Sequence, residues 1–302
     1  MRTLDVGLGV VTHLALRPDG SLLAASGHGG LGVAPWPALA EGRGQFVLAP
    51  TDERVAQIAW HPAGHLLASA GLDSGVVQVR DARLRLRREL VGVSGQQGPT
   101  AAVAYSPDGA RLALAGGWWA EPASAVVVPV GRWKPARPVG EHTNQIGALL
   151  FTRPGILLAG SADRTIVAYP LDADRDDQVT IAVRSPVQAL ALRPDGNQFA
   201  TAAGRHVYLW RLDRNGRPVA DGRVTCRGHR RPVRGLAFAP GGRTLASAAE
   251  DGTVRFWDPE TGALRTTLDV RIGPLRTVAY SPDGLTLAAA GTKGKIAIVD
   301  AD

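Results

Sequence analysis

The chain has 302 residues, 45% of them hydrophobic and 20% charged, so it can bury a core and does not belong to the disordered class. Its apolar runs fall short of the roughly 18 residues that a membrane-crossing helix needs, and a lone cysteine, Cys226, excludes an intrachain disulfide. A formal net charge of +7 suits a polyanionic partner, although the basic residues are all Arg except Lys134, Lys293 and Lys295, a bias that GC-rich codon usage alone would produce.

The N-terminal stretch VGLGVVTHLAL is interrupted by Thr12 and His13, follows a single Arg2 and lacks a small-x-small cleavage site, so it does not read as a secretory signal. With one cysteine, the expectation is a soluble, cytoplasmic protein. From Val11 onward one phrase recurs seven times: VTHLALRPDG at Val11, VAQIAWHPAG at Val55, TAAVAYSPDG at Thr100, IGALLFTRPG at Ile146, VQALALRPDG at Val187, VRGLAFAPGG at Val233 and LRTVAYSPDG at Leu275. A period of about 40 to 45 residues running from end to end predicts a repeat array folded as one domain over 1–302.

Each unit opens on an apolar, β-prone segment such as VRGLAF and turns at a Pro-Asp-Gly type sequence such as Ser106 to Gly109; Pro presets φ and Gly accepts the positive φ of the turn. A strand of small and aliphatic residues follows (66–70, 199–203, 245–249), then a short polar turn, then an alternating third strand (206–210, 253–258, 295–300). The fourth strand is polar and variable. RLRLRREL at 83–90 alternates Arg with Leu, as an edge strand with charges facing water would. Four strands per unit, no convincing amphipathic helix and seven units predict an all-β propeller of seven four-stranded antiparallel blades.

In the first unit, Gly27 to Gly32 matches a dinucleotide-binding pattern by letter, but Pro35 and Pro37 leave no room for the helix that pattern requires. In the third, Trp118 and Trp119 fall in an enlarged turn (116–124), where exposed aromatics would serve as interface anchors unless they fold back to cap the blade. Asp172, Asp174, Asp176 and Asp177 have the alternation of a calcium loop, but Asp177 stands where Gly is needed and Val183 where Glu is needed. A solvated connection is the better reading. No HExxH, CxxC, Walker-type or GxSxG sequence occurs, and neither metal nor cofactor is expected.

Between the fifth and sixth units, Arg214, Arg217, Arg223, Arg227, Arg230, Arg231 and Arg234 crowd together, countered only by Asp213 and Asp221. The sixth unit also holds Gly228-His229, Ser247, the turn Glu250 to Thr253 and Trp257-Asp258. By letter, His229, Ser247 and Asp251 would satisfy a search for a Ser-His-Asp hydrolase. The seventh unit ends its third strand at Asp300 without a fourth, and Arg2 to Val6 matches Arg265 to Val270 with one residue deleted. The N-terminus is therefore expected to complete the last blade.

The Gly-His, turn Asp and Trp-Asp signatures resemble those of the WD-repeat family over essentially the whole chain, though only the sixth unit has the full set. The fourth keeps Glu141-His142 and Asp163 with Tyr169 in place of Trp, and the fifth keeps Trp210 without the turn Asp, which would leave the other blades to packing alone. The resemblance implies that His229, Ser247, Asp251 and Trp257 form a buried relay, not a catalytic triad. It also implies that the N-terminal strand closes the ring, and that the loops leading into each blade share a binding face with those between second and third strands. Arg184, Arg205, Arg230, Arg231, Arg234 and Arg276 would lie on that face, with Trp118 and Trp119 as a second patch. The expected function is a non-catalytic scaffold, monomeric, binding a protein or peptide. The alternatives are a basic propeller that binds nucleic acid or another polyanion, and a lactonase-like hydrolase, for which the loops offer no convergent metal ligands.

Overall fold

The computed structural model describes residues 1–302 except 50, 52, 92–98, 135–137, 154, 173–176, 220, 221 and 302. The described residues form seven four-stranded antiparallel sheets, one for each copy of the repeated phrase. Blade six is representative, with strands Val233–Phe238, Leu245–Ala249, Thr253–Trp257 and Leu264–Asp269 in spatial order. The first strand of each blade packs beside the first strand of the next, and Leu275–Tyr280 of blade seven packs against Val11–Leu16 of blade one, so the ring closes.

The turn chemistry is as the sequence implies. At Ser106 to Gly109 the Gly109 N–H donates to the Ser106 carbonyl at 2.8 Å with Gly109 at φ +71°. The second strands lie between neighbouring blades and are buried on both faces. Ala68, Ala70, Ala113, Ala200, Ala246 and Ala288 are among their fully buried residues, and small side chains there let adjacent sheets approach to packing distance. Larger residues from first and third strands fill the remaining space, as where Leu275, Val278 and Val299 meet Val254 and Phe256 between blades six and seven. Burying each such aliphatic side chain contributes roughly 1.5 to 3 kcal/mol.

The last blade is closed by the N-terminus. Arg2–Asp5 pairs antiparallel with Lys295–Asp300, placing Leu4 opposite Ile296 and Asp5 opposite Lys295. The register repeats that of blade six, where Leu268 faces Val254 and Asp269 faces Thr253. Even the ending is shared: Asp5 Oδ1 accepts from the Gly7 N–H and Asp269 Oδ1 from the Arg271 N–H, both at 3.0 Å.

Two expectations are corrected. A five-residue helix, Trp36–Ala40, follows the third strand of blade one. Proline is tolerated in a first helical turn, where the backbone N–H has no intrahelical partner, and Trp36 and Leu39 bury into the junction of blades seven and one. The glycines before it form a strand turn, Gly27 pairing with Gly30. In blade two the fourth strand is only Leu86–Leu90, and Leu86 is exposed while Leu84 is buried. Leu84 sits in a tight turn at φ +62°, and a register shift between Val79 and Arg80 breaks the alternation.

Candidate binding face

Antiparallel order fixes which loops share an end of the ring. The loop into each first strand and the loop between second and third strands lie together, and the other two loops of each blade lie at the opposite end. Blade six is tied together at the first of these ends. Trp257 Nε1 donates to Ser247 Oγ at 2.7 Å, Ser247 Oγ lies 2.8 Å from His229 Nε2, and His229 Nδ1 lies 2.9 Å from Asp251 Oδ2. Asp251 also accepts from the Arg230 N–H at 2.9 Å and from the Thr253 hydroxyl at 2.7 Å. This fixes a neutral imidazole with its proton on Nδ1 and the Ser247 proton pointing at Nε2.

Burial lowers the His229 pKa. Burial alone would raise that of Asp251, but hydrogen bonds from Arg230, Thr253 and His229 outweigh it and hold the carboxyl at about 2. Ser247 is wholly buried with its oxygen engaged on both sides, so the three letters of a hydrolase triad are here a structural strut.

Blades two, four and five keep polar links at the corresponding places, so in these three packing is not the sole support expected from the sequence. In blade four His142 Nδ1 meets Asp163 Oδ2 at 2.9 Å, but the position of Ser247 is taken by Ala159, leaving His142 Nε2 and Tyr169 Oη buried without partners. In blade five Trp210 Nε1 donates to Thr201 Oγ1 at 3.1 Å. In blade two the turn carboxylate Asp73 pairs with Arg54. Over residues 45–79 and 222–258 the chain matches the model of the WD domain, G-beta repeat family, and the second span contains the entire blade-six relay. Over those two spans the chain is similar to the WD-repeat family.

Similar proteins include an uncharacterized WD repeat-containing protein of Synechocystis, 36% identical over 133 residues, which are 42% of this chain and 36% of the relative. Cell division cycle 20.1, cofactor of APC complex, of Arabidopsis thaliana is 27% identical over 86% of this chain and 57% of its own length. Target of rapamycin complex subunit wat1 of Schizosaccharomyces pombe is 32% identical over 28% of this chain and 26% of its own length. In each case the match takes in less than two thirds of the relative.

The candidate residues on the propeller fall into three groups. Arg184 leads into blade five, Arg205 lies between its second and third strands, and Arg230 and Arg231 lead into blade six; all four are exposed and make no ion pair among the described residues. The sequence reading missed their centre, His206. It stands one step beyond the Val207 and Cys226 pair, opposite Arg227, and burial, then the charges of Arg205, Arg227 and Arg184, lower its pKa. Strand register would have revealed this convergence; residue counting could not.

Arg234 and Arg276 form the second group, at the mouth of the central channel. Arg234 is not a free cation: it pairs with Glu250 at 2.7 Å and donates to Gln188. The remaining arginines of the dense stretch lie elsewhere. Arg217 pairs with Asp177 at 3.3 Å, and Arg223 lies over the rings of Tyr208 and Trp210.

Trp118 and Trp119 are the third group, 54% and 64% exposed on the same end of the ring as the arginines, so neither caps the blade. Of the aspartate run, Asp172 pairs with Arg111 and Asp177 with Arg217, while Asp174 and Asp176 lie outside the described residues. No group of three metal-binding side chains occurs among the described residues, and no helix is long and apolar enough to cross a membrane.

Proposed function

We propose that this chain is a non-catalytic interaction scaffold that docks an acidic segment of a protein partner on the blade five and six arginines, with Trp118 and Trp119 as a second contact. The observation that carries this reading is the convergence of Arg184, Arg205 and Arg227 around His206, beside Arg230 and Arg231, with no carboxylate paired to any of them among the described residues. Such a patch raises encounter rates with acidic surfaces and rejects basic ones. Exposed tryptophans supply the rigid apolar area that dominates interface energies. The printed names of two relatives, a cofactor of the APC complex and a subunit of the target of rapamycin complex, fit the same kind of work.

The test is affinity purification from the source cell with parent and variant chains. Arg230→Glu with Arg231→Glu is expected to abolish capture while leaving the melting temperature nearly unchanged, because exposed charges contribute little to stability. Trp118→Ala with Trp119→Ala is expected to cost roughly 2 kcal/mol of affinity. The blade-six arginines equally favour a polyanion, so a second outcome is informative. A ligand indifferent to the tryptophan change, whose log affinity falls steeply with log salt, would identify nucleic acid as the partner. Capture unchanged by both double variants would remove this face from consideration.

A further inference from the structure

Every blade contributes to a cavity of about 130 Å³ in the mouth of the central channel, room for several waters. Its lining is uneven. At the second position of the innermost strand, blades two to four present Ala56, Ala101 and Gly147, whereas blades five to seven present Gln188, Arg234 and Arg276. The two arginines occupy equivalent places one repeat apart, yet their surroundings differ.

Arg234 has Glu250 in the turn of its own blade and Gln188 on the preceding blade, and bonds to both. At the corresponding positions Arg276 has Thr292, whose Oγ1 and N–H both face the Pro274 carbonyl, and Arg234 itself. A hydroxyl and a second cation thus stand where blade six supplies a carboxylate and an amide. Arg276 makes no hydrogen bond or ion pair among the described residues, and its Nε is buried without a partner. Across the same mouth His13 Nδ1 is also buried and unpartnered. Burial lowers the pKa of His13 to about 4, so at neutral pH it adds a polar atom and no charge.

Of the two guanidinium groups on adjacent strands only Arg234 has a carboxylate, and the part-buried Arg276 is left without a counter-charge. We propose that the channel mouth binds an oxyanion, a carboxylate or phosphate group, on the Arg276 guanidinium. The planar guanidinium fork donates two parallel hydrogen bonds to such a group, and the side-chain amide of Gln188, whose oxygen is taken by Arg234, adds N–H donors on the rim. The oxyanion is either a free small ion or an acidic side chain of a docked segment. The site stands independently of the outer arginine patch.

Melting of the intact chain is followed on titration with inorganic phosphate at fixed ionic strength, with a hexaglutamate peptide assayed separately by calorimetry. Phosphate is expected to raise the melting temperature by about 2 °C or more. Arg276→Gln should abolish that rise, Arg276→Lys should keep part of it as evidence that the fold survives, and Arg230→Glu with Arg231→Glu should leave it intact. If phosphate has no effect but hexaglutamate binds and loses tenfold or more with Arg276→Gln, the site takes an acidic side chain. If Arg276→Gln retains both responses, or the parent chain binds neither probe, the proposal is wrong. Loss of hexaglutamate binding in the Arg230 and Arg231 variant alone would overturn the channel site and leave the docking face standing.

Discussion

At the scale of single residues, blade four lacks the Ser247 hydroxyl and has Tyr169 where Trp257 completes the relay of blade six. Replacing His229 or Asp251 by Ala leaves buried polar partners unmatched and is expected to cost on the order of 1 to 3 kcal/mol. His142→Ala should cost less, since its Nε2 is already without a partner; equal losses in denaturant melts would refute the ranking. Ala159→Ser makes the complementary case. It places a hydroxyl at the blade-four counterpart of Ser247, within the register that leaves His142 and Tyr169 unmatched, and is expected to raise stability by about 1 kcal/mol.

The relay also sets an acid response. Asp251 titrates at about 2 in the folded chain against an ordinary 3.8, so its contribution is complete above about pH 4 and is lost as pH falls toward 2. His229, with its pKa lowered by burial, acts in the same direction from about pH 6.5 downward, because the unfolded chain binds the proton more readily. The stability gap between parent and Asp251→Ala should therefore narrow on acidification; a gap constant from pH 7 to pH 3 would count against the relay.

At the scale of elements, the closing strand makes the sharpest prediction. Removing residues 1–7 leaves Lys295–Asp300 as an unpaired edge, and such edges recruit other chains. Gel filtration should show the parent as a monomer and the truncated chain as aggregated or domain-swapped; a truncated monomer melting like the parent would contradict the role assigned to Arg2–Asp5. This element was legible because its five letters repeat those of blade six in the same register. First and second strands were legible for a similar reason, since burial from both sides restricts them to small and aliphatic residues. Fourth strands were not. They face solvent, so their composition is weakly constrained, and a shift such as the one between Val79 and Arg80 reverses inside and outside without a mark in the letters.

At the scale of the molecule, the candidate face was only half legible. Arginine density marked one end of blades five and six, where Arg184, Arg205, Arg227, Arg230 and Arg231 gather, but Arg234 and Arg276 read alike as letters and differ in what adjoining blades place beside them. Those neighbours lie one repeat away in sequence, beyond the reach of local pattern. The ring also predicts the mode of unfolding. Each blade buries its faces against two neighbours and the ends of the chain share a sheet, so no blade can leave without exposing the next. Urea unfolding followed by tryptophan fluorescence and by far-ultraviolet circular dichroism should give coincident single transitions; separated midpoints would show blades melting independently.

The shared last blade has a consequence for synthesis. Residues Arg2–Asp5 leave the ribosome before any blade exists, while their partner Lys295–Asp300 emerges at the far end of the chain. At roughly 5 to 20 residues per second, about 15 to 60 seconds separate the two events. Throughout that interval six blades can assemble in turn, each bringing a transient outer edge close to a waiting strand that must not pair with it. The strand is suited to waiting: it is four residues long, begins with Arg2 and ends with Asp5, and so offers too little apolar surface and too few backbone bonds to hold a wrong edge. Ring closure is thus timed by the ribosome as well as specified by register, and a slow stretch of translation between the sixth blade and Lys295–Asp300 would prolong the open state without altering a single contact of the finished ring.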